Sequence, residues 1–210
     1  TAQQTVTIRD MDDPSVVRLS VGTGTINETT ATTFTSVTAT LNLLSAKVIT
    51  VTVAKTGTAE NVKEYTLVDT VTIPAGTSSV SITLSAIDED PALDEDSETV
   101  ILAPACNVGS NCTPDITSQQ TVTIVDEDLP PSVTLLVGSD TINEDSATSS
   151  STSVTAKLSA LSGLDVTVTL AKSGTAQNGF DYALSVPKLI IPKGSVSVSL
   201  TLSALSDTVY

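Results

Sequence analysis

The strongest signal along the chain is an alternation of apolar and hydroxylated residues. In the run SVSVSLTL, Val196, Val198, Leu200 and Leu202 alternate with Ser and Thr, the two-residue period of a strand buried on one face. The run SVSITLSA does the same through Val80, Ile82 and Leu84, and VITVTVA places Ile49, Val51 and Val53 on one side. Pro-x-Gly turn chemistry in IPAG (73–76) and IPKG (191–194) punctuates these strands. No stretch carries a helical period. The pattern predicts an all-β chain of antiparallel sheets, each apolar on one face and polar on the other.

The alternation recurs as part of a larger repeat. VTVAKTGTAENVKEYTL (51–67) matches VTLAKSGTAQNGFDYAL (168–184), IPAGTSSVSITLSA (73–86) matches IPKGSVSVSLTLSA (191–204), and GTINE (24–28) matches DTINE (140–144). The unit is about 117 residues long, the size of a β-sandwich domain, with about seven strands in each. Residues 1–13 match 117–129, the end of a unit. The chain is therefore divided into the last strand of a preceding repeat (1–13), one complete repeat (14–129) and a partial second repeat (130–210). That second repeat stops before any counterpart of SETVILAP. The abrupt ends read as those of a segment from something longer.

Composition narrows the function classes. The 210 residues hold 9 Lys+Arg against 24 Asp+Glu, a formal net charge of -15. Such a surface excludes phosphate-backbone recognition and electrostatic docking to anionic membranes. No apolar run reaches the length of a membrane span. There is no His and no Trp, and aromatics are 2% of the chain. The commonest general base and the usual zinc ligand are thus missing. The carboxylates lie in turns with no aromatic cleft around them, so a glycosidase-type acid/base pair is not expected, and the chain is read as a non-enzyme. Cys106 and Cys112, in CNVGSNC, suit a small disulfide loop in an oxidising compartment; two free thiols are the alternative. Asn27-Glu28-Thr29 and Asn111-Cys112-Thr113 fit the N-glycosylation triplet, which is common by chance.

The acids avoid the strands. One cluster is IDEDPALDEDSE, with Asp88, Glu89, Asp90, Asp94, Glu95, Asp96 and Glu98. Another is Asp126, Glu127 and Asp128, with an earlier copy at Asp10, Asp12 and Asp13; single acids recur at Glu28 and Glu144 and at Glu64 and Asp181. Crowded carboxylates repel unless neutralised, and hard oxygen donors select Ca²⁺ over the tighter octahedron of Mg²⁺. A solvated acidic loop is the bland alternative. Loops at alternate strand ends of a sandwich share one pole, where acids from separate turns can converge.

The order INE, GTA…GFDY, IPKGSVSVSLTL, an acidic turn before SETV, then TVTIVDED resembles the Calx-beta domain family over essentially the whole chain. That resemblance implies tandem seven-stranded, immunoglobulin-like sandwiches that in several members bind Ca²⁺ at one pole, near the next domain. Carried over by position, it implies ligands at Glu28, Glu64, Asp88, Asp90, Asp94, Asp126, Glu127 and Asp128. In the partial repeat the positions are Glu144 and Asp181, with Asp207 as an option, and in the preceding repeat Asp10, Asp12 and Asp13. Two departures stand out. VKEY (62–65) replaces the family's Gly-x-Asp-Tyr and puts Lys63 beside Glu64, and Ser206 stands where the first repeat has Asp88.

Three functions follow as expectations. The first is a structural or adhesive segment of a secreted cell-surface or filament-forming protein, stiffened by Ca²⁺ at its joints. Its partners are neighbouring repeats, other copies of itself and an unidentified surface ligand. The second is a Ca²⁺-sensing regulatory module of the kind found in sodium–calcium exchangers. The third is a filament subunit assembled by donated strands, since a lone terminal strand precedes an incomplete sandwich.

Overall fold

The computed structural model describes residues 3–7, 13–29, 33–88, 93–107, 109–144 and 150–206. Among these residues every regular element is a strand except one 3-10 turn at Ile116–Ser118. By contacts the chain divides into two compact units, Thr1–Glu89 with Ser97–Val125, and Asp90–Asp96 with Asp126–Tyr210.

The first unit is a β-sandwich of ten strands: β1 (Ser15–Val21), β2 (Thr25–Glu28), β3 (Phe34–Leu41), β4 (Ile49–Gly57), β5 (Tyr65–Thr66), β6 (Thr70–Ile73), β7 (Ser79–Ala86), β8 (Glu98–Cys106), β9 (Cys112–Pro114) and β10 (Gln120–Asp126). One sheet has the order β5-β7-β3-β1-β9, the other β2-β10-β8-β4-β6. The count exceeds the seven expected because strands break and change sheets. The break between β1 and β2 falls at Gly22–Gly24, where Thr35 Oγ1 accepts from Thr23 N at 2.8 Å and donates to Thr23 O at 3.0 Å. Thr35 is buried, and a Cβ on Gly22 would lie 2.7 Å from Ser36 Oγ. The chain thus leaves one sheet and joins the other across a kink that a larger residue would crowd.

The alternation places the core. Val17 and Leu19 of β1, Val37 and Ala39 of β3, Ile49, Val51 and Val53 of β4, Val100 and Leu102 of β8, and Val122 and Ile124 of β10 are all buried in one cluster. Tyr65 is the only aromatic residue in that cluster among the described residues, so burial comes from many aliphatic side chains at about 1.5–3 kcal/mol each. The Cys106–Cys112 disulfide links the end of β8 in one sheet to the start of β9 in the other.

The second unit has β11 (Val133–Val137), β12 (Ser151–Leu158), β13 (Val166–Val168), β14 (Tyr182–Leu184), β15 (Leu189–Ile191) and β16 (Ser197–Ala204). They form a sheet β11-β12-β16-β14 and a pair β13-β15. The kink recurs: Thr152 Oγ1 accepts from Ser139 N at 2.7 Å, and a Cβ on Gly138 would meet Ser153 Oγ at 2.8 Å. The core is smaller, with Val154, Ala156, Leu158, Leu189, Ile191 and Leu200 buried. Among the described residues, no strands corresponding to β8 and β10 cover it. Val133 and Leu135 are 41% and 50% exposed, whereas their counterparts Val17 and Leu19 are 0% and 3%.

Candidate metal centre

The repeated GTA turn builds the same local structure twice. In the first unit Glu64 N donates to Glu60 O at 2.9 Å and Val62 N to Tyr65 O at 2.7 Å. In the second, Asp181 N donates to Gln177 O at 2.9 Å and Gly179 N to Tyr182 O at 2.7 Å. The turn needs a left-handed residue, and Gly179 supplies it with φ of 88°. In the first unit the position is Val62 with φ of 76°, an unfavourable region for a β-branched side chain. The departure seen in the sequence therefore preserved the turn at a cost in backbone strain.

The acid of each turn caps it. Glu64 Oε2 accepts from Glu60 N at 2.5 Å, and Asp181 Oδ2 accepts from Gln177 N at the same distance. Glu64 is buried, and its Oε1 pairs with Lys63 Nζ at 3.0 Å. The turn is tied to the end of the neighbouring strand: Ile87 N donates to Glu64 O, and Leu205 N to Asp181 O, both at 2.9 Å. Tyr65, next in sequence, has its phenol raised above 10.0, first by burial and then by the negative charges of Asp69 and Glu64.

Glu28 ends β2 and is also buried. A third shielded acid is Glu98, the first residue of β8; its Oε2, like that of Glu28, is closed off from solvent. Glu98 stood in the acidic cluster of the sequence but was not among the expected ligands. It is the first residue of β8, just before the run TVILA, and is half-buried. Asp88, just past β7, is half-buried.

The remaining candidates lie in the second unit or at the chain start. Asp126 Oδ2 accepts from Glu95 N at 2.7 Å and its Oδ1 from Asp128 N at 2.9 Å. Asp94 O accepts from Gly163 N at 2.9 Å, and Asp94 forms a bridge with Ser162, which is buried. Asp126 and the backbone of Asp94–Glu95 thus belong to one folded corner, with Glu127 exposed and Asp128 half-buried. Glu144 is exposed and Asp181 half-buried, and both line one cavity of the second unit. Asp13 is exposed. Asp10, Asp12, Asp90 and Asp207 lie outside the described residues.

The donor chemistry fits a hard cation. All candidates are carboxylates, there is no His, and both cysteines are in the disulfide. Among the described residues, no three acidic or Cys side chains gather as a metal-ligating group.

No family model matches the chain, and comparison with curated proteins returned no match. Solved structures give matches. CBD12 from CALX1.2 is 17% identical with a TM-score of 0.43, over 92% of this chain and 76% of that one. The apo-form Calx CBD1 domain is 16% identical with a TM-score of 0.40, over 55% of this chain and all of that one. Calcium binding domain CBD12 of CALX1.1 is 16% identical with a TM-score of 0.39, over 88% and 73%. No helix among the described residues is long and apolar enough to cross a membrane.

Proposed function

We propose that this chain is a non-catalytic, structural segment of tandem Calx-beta-type repeats in a secreted surface protein, and that it binds Ca²⁺ through the acids at its strand ends. The observation that carries this reading is the set of three shielded carboxylates in the first unit, Glu28, Glu64 and Glu98. Burying a carboxylate is costly unless positive charge or hydrogen bonds meet it; Glu28 and Glu64 are buried, Glu98 is half-buried, and Lys63 pairs with Glu64. A cation bound at one of these strand ends would add to that compensation, although among the described residues the three do not gather into one metal-ligating group. The disulfide between Cys106 and Cys112 supports an oxidising, extracellular setting, and the same linkage argues against the cytoplasmic sensor.

Ca²⁺ bound only by the folded chain would stabilise it by about 2.7 kcal/mol at a free concentration a hundredfold above Kd. Differential scanning calorimetry in Ca²⁺ and in chelator tests this. The expected outcome is a Tm several degrees higher in Ca²⁺; superimposable transitions would remove the cation from the account.

A further inference from the structure

The two GTA turns differ at the position just before their acid. The first reads AENVKEY (59–65) and the second AQNGFDY (176–182). The backbone is shared, down to the acid that accepts from the amide four residues earlier. What stands beside that acid is not shared. Lys63 precedes Glu64, whereas Phe180, 69% exposed, precedes Asp181. Residues 176–182 contain no Lys or Arg.

Both carboxylate oxygens of Glu64 are engaged. Oε2 accepts from the Glu60 amide, and Oε1 accepts from the Lys63 ammonium at 3.0 Å. The two partners differ in how firmly they are held. Glu60 N belongs to the turn backbone, which is fixed by Glu64 N on Glu60 O and by Ile87 N on Glu64 O. The Lys63 side chain is 57% exposed, against 7% for that of Glu64. An ammonium is a compact charge on a flexible stem, so Lys63 is a removable partner on a shielded carboxylate. A Ca²⁺ ion on Oε1, at about the 2.3–2.6 Å of its oxygen ligands, would share that oxygen with the ammonium. Like charges so close together repel strongly where water is scarce.

We propose that Lys63 is a tethered counter-ion that stands in for the metal at Glu64. Its ammonium neutralises the buried carboxylate when no ion is bound, and Ca²⁺ takes Oε1 only by displacing it into solvent. The assignment rests on the reading that the strand-end acids take Ca²⁺. It makes Lys63 an affinity-determining residue with two opposed effects. Lys63 supports the folded turn in the absence of metal, and it weakens metal binding at the same oxygen. The turn of the second unit, with Phe180 in that place, has no such stand-in.

Two substitutions in the whole chain test this. Lys63→Met removes the charge from a side chain of similar length, and Lys63→Arg keeps the charge. Calorimetric scans in chelator and in Ca²⁺ are run on both variants and the parent, with titration of Ca²⁺ into the stripped proteins. In chelator Lys63→Met is expected to melt below the parent, and Lys63→Arg to melt with it. Ca²⁺ should raise the Tm of Lys63→Met by more than that of the parent, and bind it about tenfold more tightly, because Ca²⁺ affinity follows the charge of the site. A Lys63→Met variant as stable as the parent in chelator would overturn the assignment. So would equal Ca²⁺ shifts in the two proteins, which would leave Ca²⁺ binding itself standing. A Ca²⁺ response in Lys63→Met alone would uphold the assignment and remove Ca²⁺ from the function of the parent. No response in any of the three would overturn both.

Discussion

Gly57 and Gly174 occupy the same place in the two repeats, with φ of 121° and 122°. Around Gly57 the backbone is crowded: Thr58 N and Ala59 N both donate to Thr99 O, and a Cβ on Gly57 would lie 2.1 Å from that oxygen. A Cβ on Gly174 would meet no atom within 4 Å beyond its chain neighbours. Both glycines answer the same dihedral demand, but only the first is also pressed against another strand. Gly57→Ala is expected to destabilise by about 3 kcal/mol or more, the range of substitutions that force a backbone shift. Gly174→Ala should cost only the dihedral strain, about 1–2 kcal/mol. Chemical denaturation of the two variants checks the difference, and equal losses would mean that the contact with Thr99 is unimportant.

Tyr65 makes a second residue-level expectation. Its folded pKa is raised above 10.0, so the folded state binds the phenolic proton more tightly than the unfolded chain. The associated stability is complete below about pH 10 and is lost as pH rises through the higher folded value. Phenolate absorbance during alkaline titration should show one tyrosine ionising late. Tyr65→Phe should remove that late step and flatten the alkaline loss of stability; an unchanged titration curve would place the raised value elsewhere.

At the scale of elements, the long strands were legible because alternation and burial coincide. Val51 and Val53, Leu84, and Leu200 are inward-facing as their spacing predicts. Short elements were not legible. β9 is three residues, Cys112–Pro114, in a loop without alternation, and it exists through its pairing with β1. β2 and Thr141–Glu144 have one sequence and two outcomes, because a four-residue strand is made by its neighbour and not by its own residues. The turn acids Glu64 and Asp181 were recognisable from the repeat, whereas Glu98 stands in an acidic run in which Asp88, Asp94 and Glu95 are half-buried as well, so nothing in the sequence singled it out. The disulfide fastens β8 to β9 across the two sheets. It closes a loop with a sequence separation of 6, and loop-closure entropy gives it about 2 kcal/mol. Cys106→Ser with Cys112→Ser should lower stability by about that amount, and β9 should lose hydrogen-exchange protection before β4. Uniform loss of protection would show that the link supports the whole unit rather than its edge.

At the scale of the whole molecule, the net charge of -15 is carried by strand ends and turns around sandwich cores built from aliphatic residues. Self-repulsion of that charge opposes folding, and cation binding at the shielded acids is the remedy proposed above. The repeat gave both units the same turns and kinks, but it placed Glu28 in a covered position and its counterpart Glu144 in an exposed one. Covering strands, as much as ligand residues, therefore decide whether an acid can be a buried ligand. The most direct measurement is a calorimetric titration of Ca²⁺ into the chelator-stripped chain, beside a Glu28→Gln/Glu98→Gln variant. Saturable binding of at least one ion per chain is expected, with a Kd in about the 10⁻⁴–10⁻³ M range of extracellular calcium modules or tighter, and binding weakened at least tenfold in the variant. Absence of saturable binding up to about 10 mM, an order of magnitude beyond that range, or a variant that binds as the parent does, would contradict it.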